Sequence, residues 1–463
     1  MAMAGPKPSV DAALLQRFDR PGPRYTSYPT AVEFHDGISE AAYEAALSDA
    51  AKHDDSLSLY AHLPFCEQRC LYCACNVVIT QKREVAEPYL TRLEREIERV
   101  SRSLGDRHRV SQFHFGGGTP TYYAPEQLEQ LMRTFRRHFT LEGDAEVAVE
   151  VDPRVTQPEH LEVLARQGFN RLSLGVQDFD PHVQESIHRV QTFEETRVLV
   201  ERARALGFAS INLDLIYGLP LQTALSFERT LDQVISLDPD RLAVYSFALV
   251  PWLKPHQKLL PQQAIPAGLE KFELLVTARD KLLAASYQDI GMDHFAKASD
   301  ELAVAQREGR LSRNFMGYTT ARARDMIGFG LSAIGFVSGT FVQNEKKLSR
   351  YNRALDEGRL PVERGYRLDR DDLIRQHVIR EWMCNFIVDT GELADRFDVD
   401  FEAYFAQELP ELRELEAEGF VELAGGAMRA GPLGRLFPRN VAMVFDRHLR
   451  EKRTAKPAFS KTV

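Results

Sequence analysis

The segment Cys66-Glu67-Gln68-Arg69-Cys70-Leu71-Tyr72-Cys73-Ala74-Cys75 decides how the rest of this sequence is interpreted. It holds four of the five cysteines of the chain, and the fifth, Cys384, lies far away. Thiolates this close together oxidise readily and bind soft metals, so such a segment needs a chemical reason. Three uses compete at this point: a structural zinc site, a set of disulfides and an iron–sulfur cluster.

The remaining sequence separates these three uses. Zinc sites usually combine two ligand pairs across a loop, and no second pair or Cys/His knuckle follows here. Disulfides are not expected in a chain of 463 residues with five cysteines and no secretory signal in Met1–Ala12. The spacing C-x3-C-x2-C, with Tyr72 before its third cysteine, is similar to the signature of the radical S-adenosylmethionine (SAM) enzymes. Three thiolates on a four-iron cluster leave one iron open for catalysis, which favours this use.

Composition excludes several classes of protein. Hydrophobic residues make up 44% and charged residues 27% of the sequence, as in ordinary globular proteins. A formal net charge of −9 argues against nonspecific binding of nucleic acid. The sequence has no apolar run of about 18 residues, so no membrane span is expected. A cytoplasmic, reducing location suits exposed cluster thiolates.

A regular alternation of strands and helices begins just before the cysteine segment. Six strands are predicted in this alternation, over 56–60, 110–115, 146–151, 170–175, 210–216 and 241–247. A long helix over 266–290 is expected after the last of them. Helices follow them: one opens at Pro88, one begins near Pro125, two end at Gly168 and Gly207, and one covers 225–237. Six strand–helix units predict the α/β class, with a parallel sheet closed into a partial (β/α)6 TIM-like barrel.

Unusual residues collect where these strands end. They are the cysteine loop, Gly116-Gly117-Gly118, Glu150, Gln177, Asp214 and Ala248. In barrels of this kind the carboxyl-terminal edge is the catalytic face. The glycine run matches neither the dinucleotide nor the P-loop pattern, and it indicates close approach of the backbone to a ligand or a strand-like edge. Glu150 and Asp214 could each point to solvent, but their shared edge favours a functional site.

Three domains are predicted around this edge: an N-terminal arm (1–55), the barrel with an extension covering its mouth (56–365), and a small, mainly α-helical C-terminal domain (366–463). Three prolines in 20–30 exclude a helix there, leaving a surface loop or an arm that offers Arg24 to an anionic ligand. His294, beside Asp293, is either a titrating group or an ordinary buried histidine. The C-terminal domain resembles a winged helix, yet its dense glutamates favour a scaffold or lid over DNA binding.

The chain resembles the bacterial oxygen-independent coproporphyrinogen III oxidases, radical SAM enzymes of haem biosynthesis, over nearly its whole length. The cysteine spacing is general to radical SAM enzymes, whereas Cys75 and the Gly-Pro-Arg-Tyr-Thr-Ser-Tyr-Pro arm are particular to this family. The segments that carry the resemblance are 22–30, 60–76, 116–122, 150–154, 175–179, 214–220, 291–296 and 301–320.

The resemblance implies one [4Fe–4S] cluster held by Cys66, Cys70 and Cys73, together with two SAM molecules. Cys75, Tyr60 and Arg24 are predicted to be catalytic, and Arg24 is expected to pair with a propionate because the substrate is anionic while the chain as a whole is acidic. The first SAM would be lined by Tyr60, Gly117, Glu150 and Ile334. The second would be lined by Tyr72, Gly118, Thr119, Gln177, Arg189, Asp214 and Ala248. One departure concerns this second pocket, because Met316 stands where the family often has glutamine.

The implied reaction turns two propionates of coproporphyrinogen III into vinyl groups, giving protoporphyrinogen IX, through a 5′-deoxyadenosyl radical. A reductant such as flavodoxin or ferredoxin and a monomeric state are expected. Two alternatives are a radical-SAM-like haem-binding protein or chaperone and a haem-degrading methyltransferase. Cys75 and the arm argue against the chaperone.

Overall fold

The computed structural model describes residues 10–451 and 459–462. The expectation that Met1–Ala12 is no secretory signal therefore falls mostly on residues outside this part. Within the described ranges, no helix combines the length and the apolar character that crossing a membrane requires.

The fold is built on one sheet of twelve strands. We number them in chain order: β1 Leu57–Leu63, β2 Arg109–Gly117, β3 Thr140–Val151, β4 Arg171–Gln177, β5 Ser210–Tyr217, β6 Arg241–Ser246, β7 Tyr287–Gly291, β8 His294–Lys297, β9 Met326–Gly330, β10 Ile334–Val337, β11 Thr340–Asn344 and β12 Val362–Arg367. Their order across the sheet is β12-β11-β10-β9-β1-β2-β3-β4-β5-β6-β8-β7.

Strands β1 to β6 run parallel and neighbour one another in sequence order. A helix follows each of them and covers the outer face of the sheet. These helices are Ala86–Ser103, Pro125–His138, Pro158–Arg166, Phe193–Ala205, Ala224–Ser236 and Leu269–Ala284. The predicted partial (β/α)6 barrel with an α/β topology is confirmed. One boundary differs, since the first helix begins at Ala86 and carries Pro88 in its first turn, where proline is tolerated.

The two faces of β1 show why the barrel can hold a site. Leu57, Leu59 and Leu63 are fully buried in the main hydrophobic core. Residues one position out of phase lie on the opposite face, because side chains alternate along a strand. On that face, β2 to β6 contribute polar side chains that line the barrel lumen, among them Gln112, His114, Glu146, Glu150, Ser173, Asn212, Asp214 and Tyr245. The interior of the barrel is therefore polar.

Both ends of the parallel sheet are extended by antiparallel strands. β8 pairs with β6 and β7, while β10, β11 and β12 continue the sheet beyond β9. The long helix predicted over 266–290 is wrong in its last part, because the helix ends at Ala284 and β7 begins at Tyr287. Ser286, between them, has φ +70°, which a helix does not accommodate.

The C-terminal part covers one side of the barrel. Helix Arg370–Asn385 is followed by three short helices, Thr390–Phe397, Phe401–Tyr404 and Leu409–Ala417. A small sheet contains strands Ile387–Asp389, Ala427–Ala430 and Val421–Ala424, with a turn at Gly425-Gly426. β12, Val362–Arg367, spans the boundary predicted between residues 365 and 366.

The N-terminal arm is held on this assembly by backbone and side-chain contacts. It contains helices Ala12–Phe18 and Glu40–Ala50, and no helix forms over residues 20–30. Pro21 forms a β-bridge with Lys461, and the Tyr25 hydroxyl donates to Asp446 at 2.9 Å. The arm therefore packs against the C-terminal end of the chain.

Candidate active site

The cysteine segment forms a loop directly after β1, at the carboxyl-terminal edge of the barrel. The two-residue strands Phe65–Cys66 and Val78–Ile79 pair with each other and close this loop. Cys66, Cys70 and Cys73 line one cavity of about 250 Å³, and each is a free thiol. The described residues contain no group of three His, Cys, Asp or Glu side chains around a single-ion position. Three thiols around a shared cavity are the donor set that a multi-iron cluster uses.

The backbone of the cysteine loop is fixed by a clamp segment, residues 254–257, which follows β6. Three loop carbonyls accept hydrogen bonds from its side chains. The pairs are Gln257 to Tyr72 at 3.0 Å, His256 to Cys73 at 2.8 Å and Lys254 to Cys75 at 3.1 Å. These bonds orient the loop through protein contacts alone, so the thiols have a defined arrangement before any cofactor binds.

Two arginines stand beside the Cys70 sulfur. Arg154 Nη2 lies 3.3 Å and Arg189 Nη1 3.6 Å from Cys70 Sγ. Asp152 bridges both guanidinium groups at 2.7 and 2.9 Å, and Arg189 Nη2 also donates to the Gly175 carbonyl at 2.6 Å. Burial acts to raise the pKa of Asp152, but the two arginines outweigh it and lower that pKa to about 2. The two guanidinium groups therefore fix the position of the Cys70 sulfur at the cavity.

The other thiols differ in their surroundings. Burial raises the pKa of Cys66 to about 12, although the Thr119 hydroxyl lies 3.4 Å from its sulfur. A hydrogen bond with Cys75 lowers the pKa of Cys73 and raises that of Cys75. Cys75 thus contacts a neighbouring cysteine while remaining exposed.

The glycine run lets the end of β2 pack against the start of the cysteine loop. Gly118 N donates to the Leu63 carbonyl at 2.8 Å, and a Cβ on Gly118 would lie 2.6 Å from the Pro64 carbonyl carbon. Gly117 has φ +112°, and a Cβ there would lie 2.7 Å from the His62 ring. The run therefore forms the strand-like edge, one of the two roles expected from the sequence.

Two carboxylates with different proton affinities project into the same space. His114 Nε2 lies 3.1 Å from Glu150 Oε1, and this contact lowers the pKa of Glu150 although burial acts to raise it. Burial, followed by the charge of Glu150, raises the pKa of Asp214 to about 7. Asn212 and Ser173 hydrogen-bond to Asp214 at 2.8 and 3.2 Å. One carboxylate is therefore fixed as an anion, and the other can hold a proton near neutral pH.

A β-bulge at the end of β4 aims Gln177 at the cavity. The pairing register shifts between Gly175 and Gln177, and Gln177 has φ +67°. A Cβ on Gly175 would lie 2.7 Å from Gln177 Nε2 and 2.9 Å from Arg189 Nη2. Glycine is thus required at 175, because the two polar side chains pass over its backbone.

Comparison with known proteins identifies the family of this site. The model of the radical SAM superfamily matches residues 60–234, and that of the HemN C-terminal domain matches residues 368–437. The oxygen-independent coproporphyrinogen III oxidase of Pseudomonas aeruginosa is 47% identical over 441 residues, which cover 95% of this chain and 96% of that protein. This chain belongs to the oxygen-independent coproporphyrinogen III oxidases.

Other members of this oxidase family agree. The enzyme of Helicobacter pylori strain J99 is 42% identical over 458 residues, covering 98% of this chain and all of that protein. The solved structure of the Escherichia coli coproporphyrinogen III oxidase, described as a radical SAM enzyme, superposes with a TM-score of 0.90 at 42% identity. It covers 95% of this chain and 99% of that one. The resemblance seen in the sequence is confirmed, as is the assignment as a radical SAM enzyme rather than a haem chaperone or methyltransferase.

Membership in this oxidase family implies a [4Fe–4S] cluster and SAM, and the residues present fit both groups. The cysteine cavity also contains most of the side chains expected from sequence to bind them. These are Cys66, Cys70, Cys73, Cys75, Tyr72, Gly117, Gly118, Thr119, Glu150, Gln177, Arg189 and Asp214.

Three expected SAM contacts lie just outside this cavity. Tyr60 on β1 pairs in register with Gly328 on β9. A Cβ on Gly328 would lie 2.6 Å from the Ile334 carbonyl oxygen. Tyr60 and Ile334 therefore flank the same glycine. Ala248 follows β6, and its carbonyl accepts a hydrogen bond from Gln257 at 3.1 Å.

Arg24 reaches the oxidase barrel through an ion pair. Its Nη1 lies 2.5 Å from Asp293 Oδ2, and its Nη2 donates to the Ser246 carbonyl at 2.7 Å. Ser246 is the last residue of β6, so the arm contacts the barrel rim. His294 is half-buried, and desolvation followed by the charge of Arg313 lowers its pKa to about 3. Of the two roles considered for His294, the structure favours a neutral, partly buried histidine over a group that titrates near neutral pH.

Met316, which stands where the family often has glutamine, lies in the barrel lumen. It lines the lumen cavity of about 120 Å³ together with Glu150 and Asp214. Its backbone N–H donates to Asn314 Oδ1 at 2.9 Å. A thioether thus replaces a possible amide contact beside the two carboxylates.

Several residues of this oxidase site were not predicted from the sequence. Ser173 and Tyr245 line the cysteine cavity, as do Asp152, Arg154 and Gly175. Ser173 and Tyr245 could have been found, because each is a polar residue at a lumen-facing position of an alternating strand. The joint action of Asp152 and Arg154 could not, since it depends on the position of Arg189, 37 residues from Asp152 in the chain.

Proposed function

We propose that this chain decarboxylates two propionate side chains of coproporphyrinogen III to vinyl groups, using the cavity at the carboxyl-terminal edge of the barrel. The observation that carries the proposal is the convergence of three cysteine thiols, Glu150, Gln177 and Asp214 on one cavity. The relatives named above are oxidases of this substrate at 42–47% identity.

Cys66, Cys70 and Cys73 would hold the cluster. The cluster and SAM, when bound, would supply the radical chemistry that removes a hydrogen atom from a propionate, and an electron acceptor would take up the electron released with carbon dioxide. The protein residues orient and shield the reactants. Arg154 and Arg189 hold the Cys70 side chain in place by donating to its sulfur. The clamp segment holds the loop backbone in place. The polar lumen offers hydrogen bonds to ligands through side chains such as Glu150 and Asp214.

Two SAM molecules would bind beside each other at this edge. Tyr60, Gly117, Glu150 and Ile334 are proposed for the first, and Tyr72, Gly118, Thr119, Gln177, Arg189, Asp214 and Ala248 for the second. Support for Arg189 comes from its Nε, which is buried without a hydrogen-bond partner among the described residues. Carboxylates form strong bidentate hydrogen bonds with guanidinium groups, so the carboxylate of SAM would supply the missing hydrogen-bond partner of Arg189 Nε.

Arg24, Tyr60 and Cys75 are proposed to act in the reaction itself. The Arg24 side chain remains 26% exposed although it is paired with Asp293. A substrate propionate could therefore share this guanidinium at the rim. The Tyr60 hydroxyl oxygen lies 3.1 Å from His62 Nδ1. This contact fixes the Tyr60 ring near Gly117, which packs against the His62 ring.

The setting of the reaction is also part of the proposal. A flavodoxin or ferredoxin would supply electrons, and the chain would act as a monomer. A cytoplasmic location is supported by five cysteines that are all free thiols, because the cytoplasm keeps thiols reduced. The arm (1–55) and the C-terminal domain (366–463) would enclose the substrate.

The test is anaerobic reconstitution with iron, sulfide, SAM, reductant and coproporphyrinogen III, followed by mass spectrometry of the tetrapyrrole. The mass of the tetrapyrrole is expected to fall in two successive steps. Each step corresponds to the loss of one carbon dioxide and two hydrogen atoms, which together have the mass of formic acid. Cys70→Ser should lose most bound iron and all turnover. Cys384→Ala is the matched control, because Cys384 is buried away from the loop and should keep both. A Cys70→Ser protein with full iron content and turnover would contradict the proposal.

A further inference from the structure

A second, larger cavity lies at the opposite end of the barrel from the cysteine loop. Its volume of about 750 Å³ falls within the range of small-molecule and cofactor sites. Ser58 and Met326, near the amino-terminal ends of β1 and β9, line it, and residues 25–28 of the arm form another side. From Ser58 to Leu63, where the cysteine loop begins, β1 rises roughly 17 Å at about 3.3 Å per residue.

A hairpin separates this cavity from the barrel lumen. Its strands are Ser312–Asn314 and Gly317–Thr319. Arg313, Asn314 and Phe315 line the large cavity, whereas Met316 and Tyr318 line the lumen cavity. A molecule in the large cavity therefore lies in a different space from the one that holds Glu150 and Asp214.

The wall of the large cavity combines aromatic rings with cations. Phe315, Phe336 and Phe341 line it, and the Phe336 and Phe341 ring centroids are 4.5 Å apart. A single carboxylate, from Asp49, stands among the lining residues that the structure describes. The lining also contains five arginines: Arg313, Arg322, Arg324, Arg380 and Arg396. The cavity thus suits a large apolar molecule with anionic groups.

Arg313 is the half-buried cation in this wall that lacks a counter-charge. Its Nε is buried without a hydrogen-bond partner, and no carboxylate forms an ion pair with it within the described ranges. The Tyr318 ring, 5.0 Å away, and Met292 Sδ, 2.6 Å from Nη1, hold the guanidinium in place. Arg322, Arg324 and Arg380 differ, because each lies 3.2–3.9 Å from a carboxylate oxygen. Arg396 has no ion pair in the part of the chain that the structure describes either, but its side chain is exposed to solvent and lies over the Phe397 ring at 5.4 Å.

A half-buried guanidinium without an anionic partner is costly unless a negative charge pairs with it. We propose that this cavity is a second tetrapyrrole site, in which Arg313 binds a carboxylate and the three phenylalanines contact the ring face. The tetrapyrrole class follows from the proposed function, which supplies a polycarboxylate of suitable size and polarity. A ligand here is held rather than decarboxylated, since the height of the barrel separates it from the cysteine loop.

The experiment titrates the reconstituted enzyme with coproporphyrin III, a stable oxidised form of the substrate, and follows its fluorescence. Arg313→Gln should weaken this binding at least tenfold and leave SAM affinity unchanged. Arg324→Gln is the matched control, because Arg324 lines the same cavity but faces Asp55, and it should change binding less than twofold. Ala323→Trp, which fills the cavity from a loop position, should have the effect of Arg313→Gln.

A third variant separates the two cavities. Ser173→Tyr fills the cysteine cavity and should leave the Arg313-dependent binding intact. Loss of all coproporphyrin III binding in Ser173→Tyr, or unchanged binding in both Arg313→Gln and Ala323→Trp, would overturn the second site. An enzyme that binds the porphyrin through Arg313 but never decarboxylates coproporphyrinogen III would refute the proposed function alone. One that turns over normally without Arg313-dependent binding would refute the second site alone.

Discussion

Replacing Arg189 by methionine tests the proposed second SAM pocket. Methionine approximates the volume of the arginine stem and removes its charge. In the structure Arg189 donates to Asp152 at 2.9 Å and to the Gly175 carbonyl at 2.6 Å, and its side chain is 6% exposed. Its Nε has no hydrogen-bond partner among the described residues, so it can donate to a ligand. A hydrogen bond to a charged group contributes about 1.5–3 kcal/mol, so one SAM equivalent should bind roughly 10- to 150-fold more weakly.

The neighbouring Arg154 provides the matched control. It contacts the same Asp152 carboxylate at 2.7 Å and the same Cys70 sulfur at 3.3 Å. Arg154→Met therefore disturbs the same network while removing a residue that is not proposed to touch SAM. It should leave both SAM equivalents within about threefold of their original affinity, well below the loss expected for Arg189→Met.

Equilibrium dialysis of labelled SAM against the reconstituted protein gives both stoichiometry and affinity. The expected outcome is that Arg189→Met loses one equivalent while iron content stays constant. If both variants bind two equivalents at the original affinity, or if they weaken binding equally, Arg189 belongs to the ion-pair network alone. Iron content must be measured in parallel, because a variant that loses the cluster would lose SAM for another reason.

Three further predictions concern other parts of the molecule. Cys75→Ser should keep its iron and lose turnover, since Cys66, Cys70 and Cys73 are intact; iron loss as complete as in Cys70→Ser would make Cys75 a ligand. Met316→Gln should tighten one SAM equivalent by about 0.5–1.5 kcal/mol, the worth of one neutral hydrogen bond, and dialysis showing no gain would contradict this. Burial raises the pKa of Glu96 to about 7, despite hydrogen bonds from Tyr351, Gly330 and Asn344. The folded state therefore binds the proton more tightly than the unfolded state, and stability falls as pH rises from about 4.5 to about 7, by about 3 kcal/mol. Glu96→Gln should remove this loss, so that its melting temperature relative to the original protein rises over that window; a constant difference would contradict the assignment.

The fold was largely predictable because local patterns and global topology agree. Each of the six parallel strands has an apolar or alternating pattern and is followed by a turn and a helix, which leaves few possible arrangements. The error over 266–290 arose where propensity and tertiary structure disagree. Apolar residues such as Tyr287 and Ile290 fit a helical face, but pairing with β8 draws them into a strand.

The candidate site was predictable where one residue carries the chemistry and less so where a network does. Thiols, glycines and isolated carboxylates at strand ends are visible in the sequence, because each is unusual at its position. The partnership of Arg24 with Asp293 joins residues 269 positions apart, and no local pattern indicates it. The unpartnered Nε atoms of Arg189 and Arg313 likewise depend on three-dimensional surroundings.

The clamp segment has a consequence for how the protein matures on the ribosome. Lys254, His256 and Gln257 are separated from the loop carbonyls they bind by 179, 183 and 185 residues. Chains emerge from the amino terminus, so the cysteines leave the ribosome long before their clamp is synthesised. During this interval the thiols lack the contacts that orient them. Stable insertion of iron and sulfide should therefore wait until residues 254–257 have been translated and have packed against the loop.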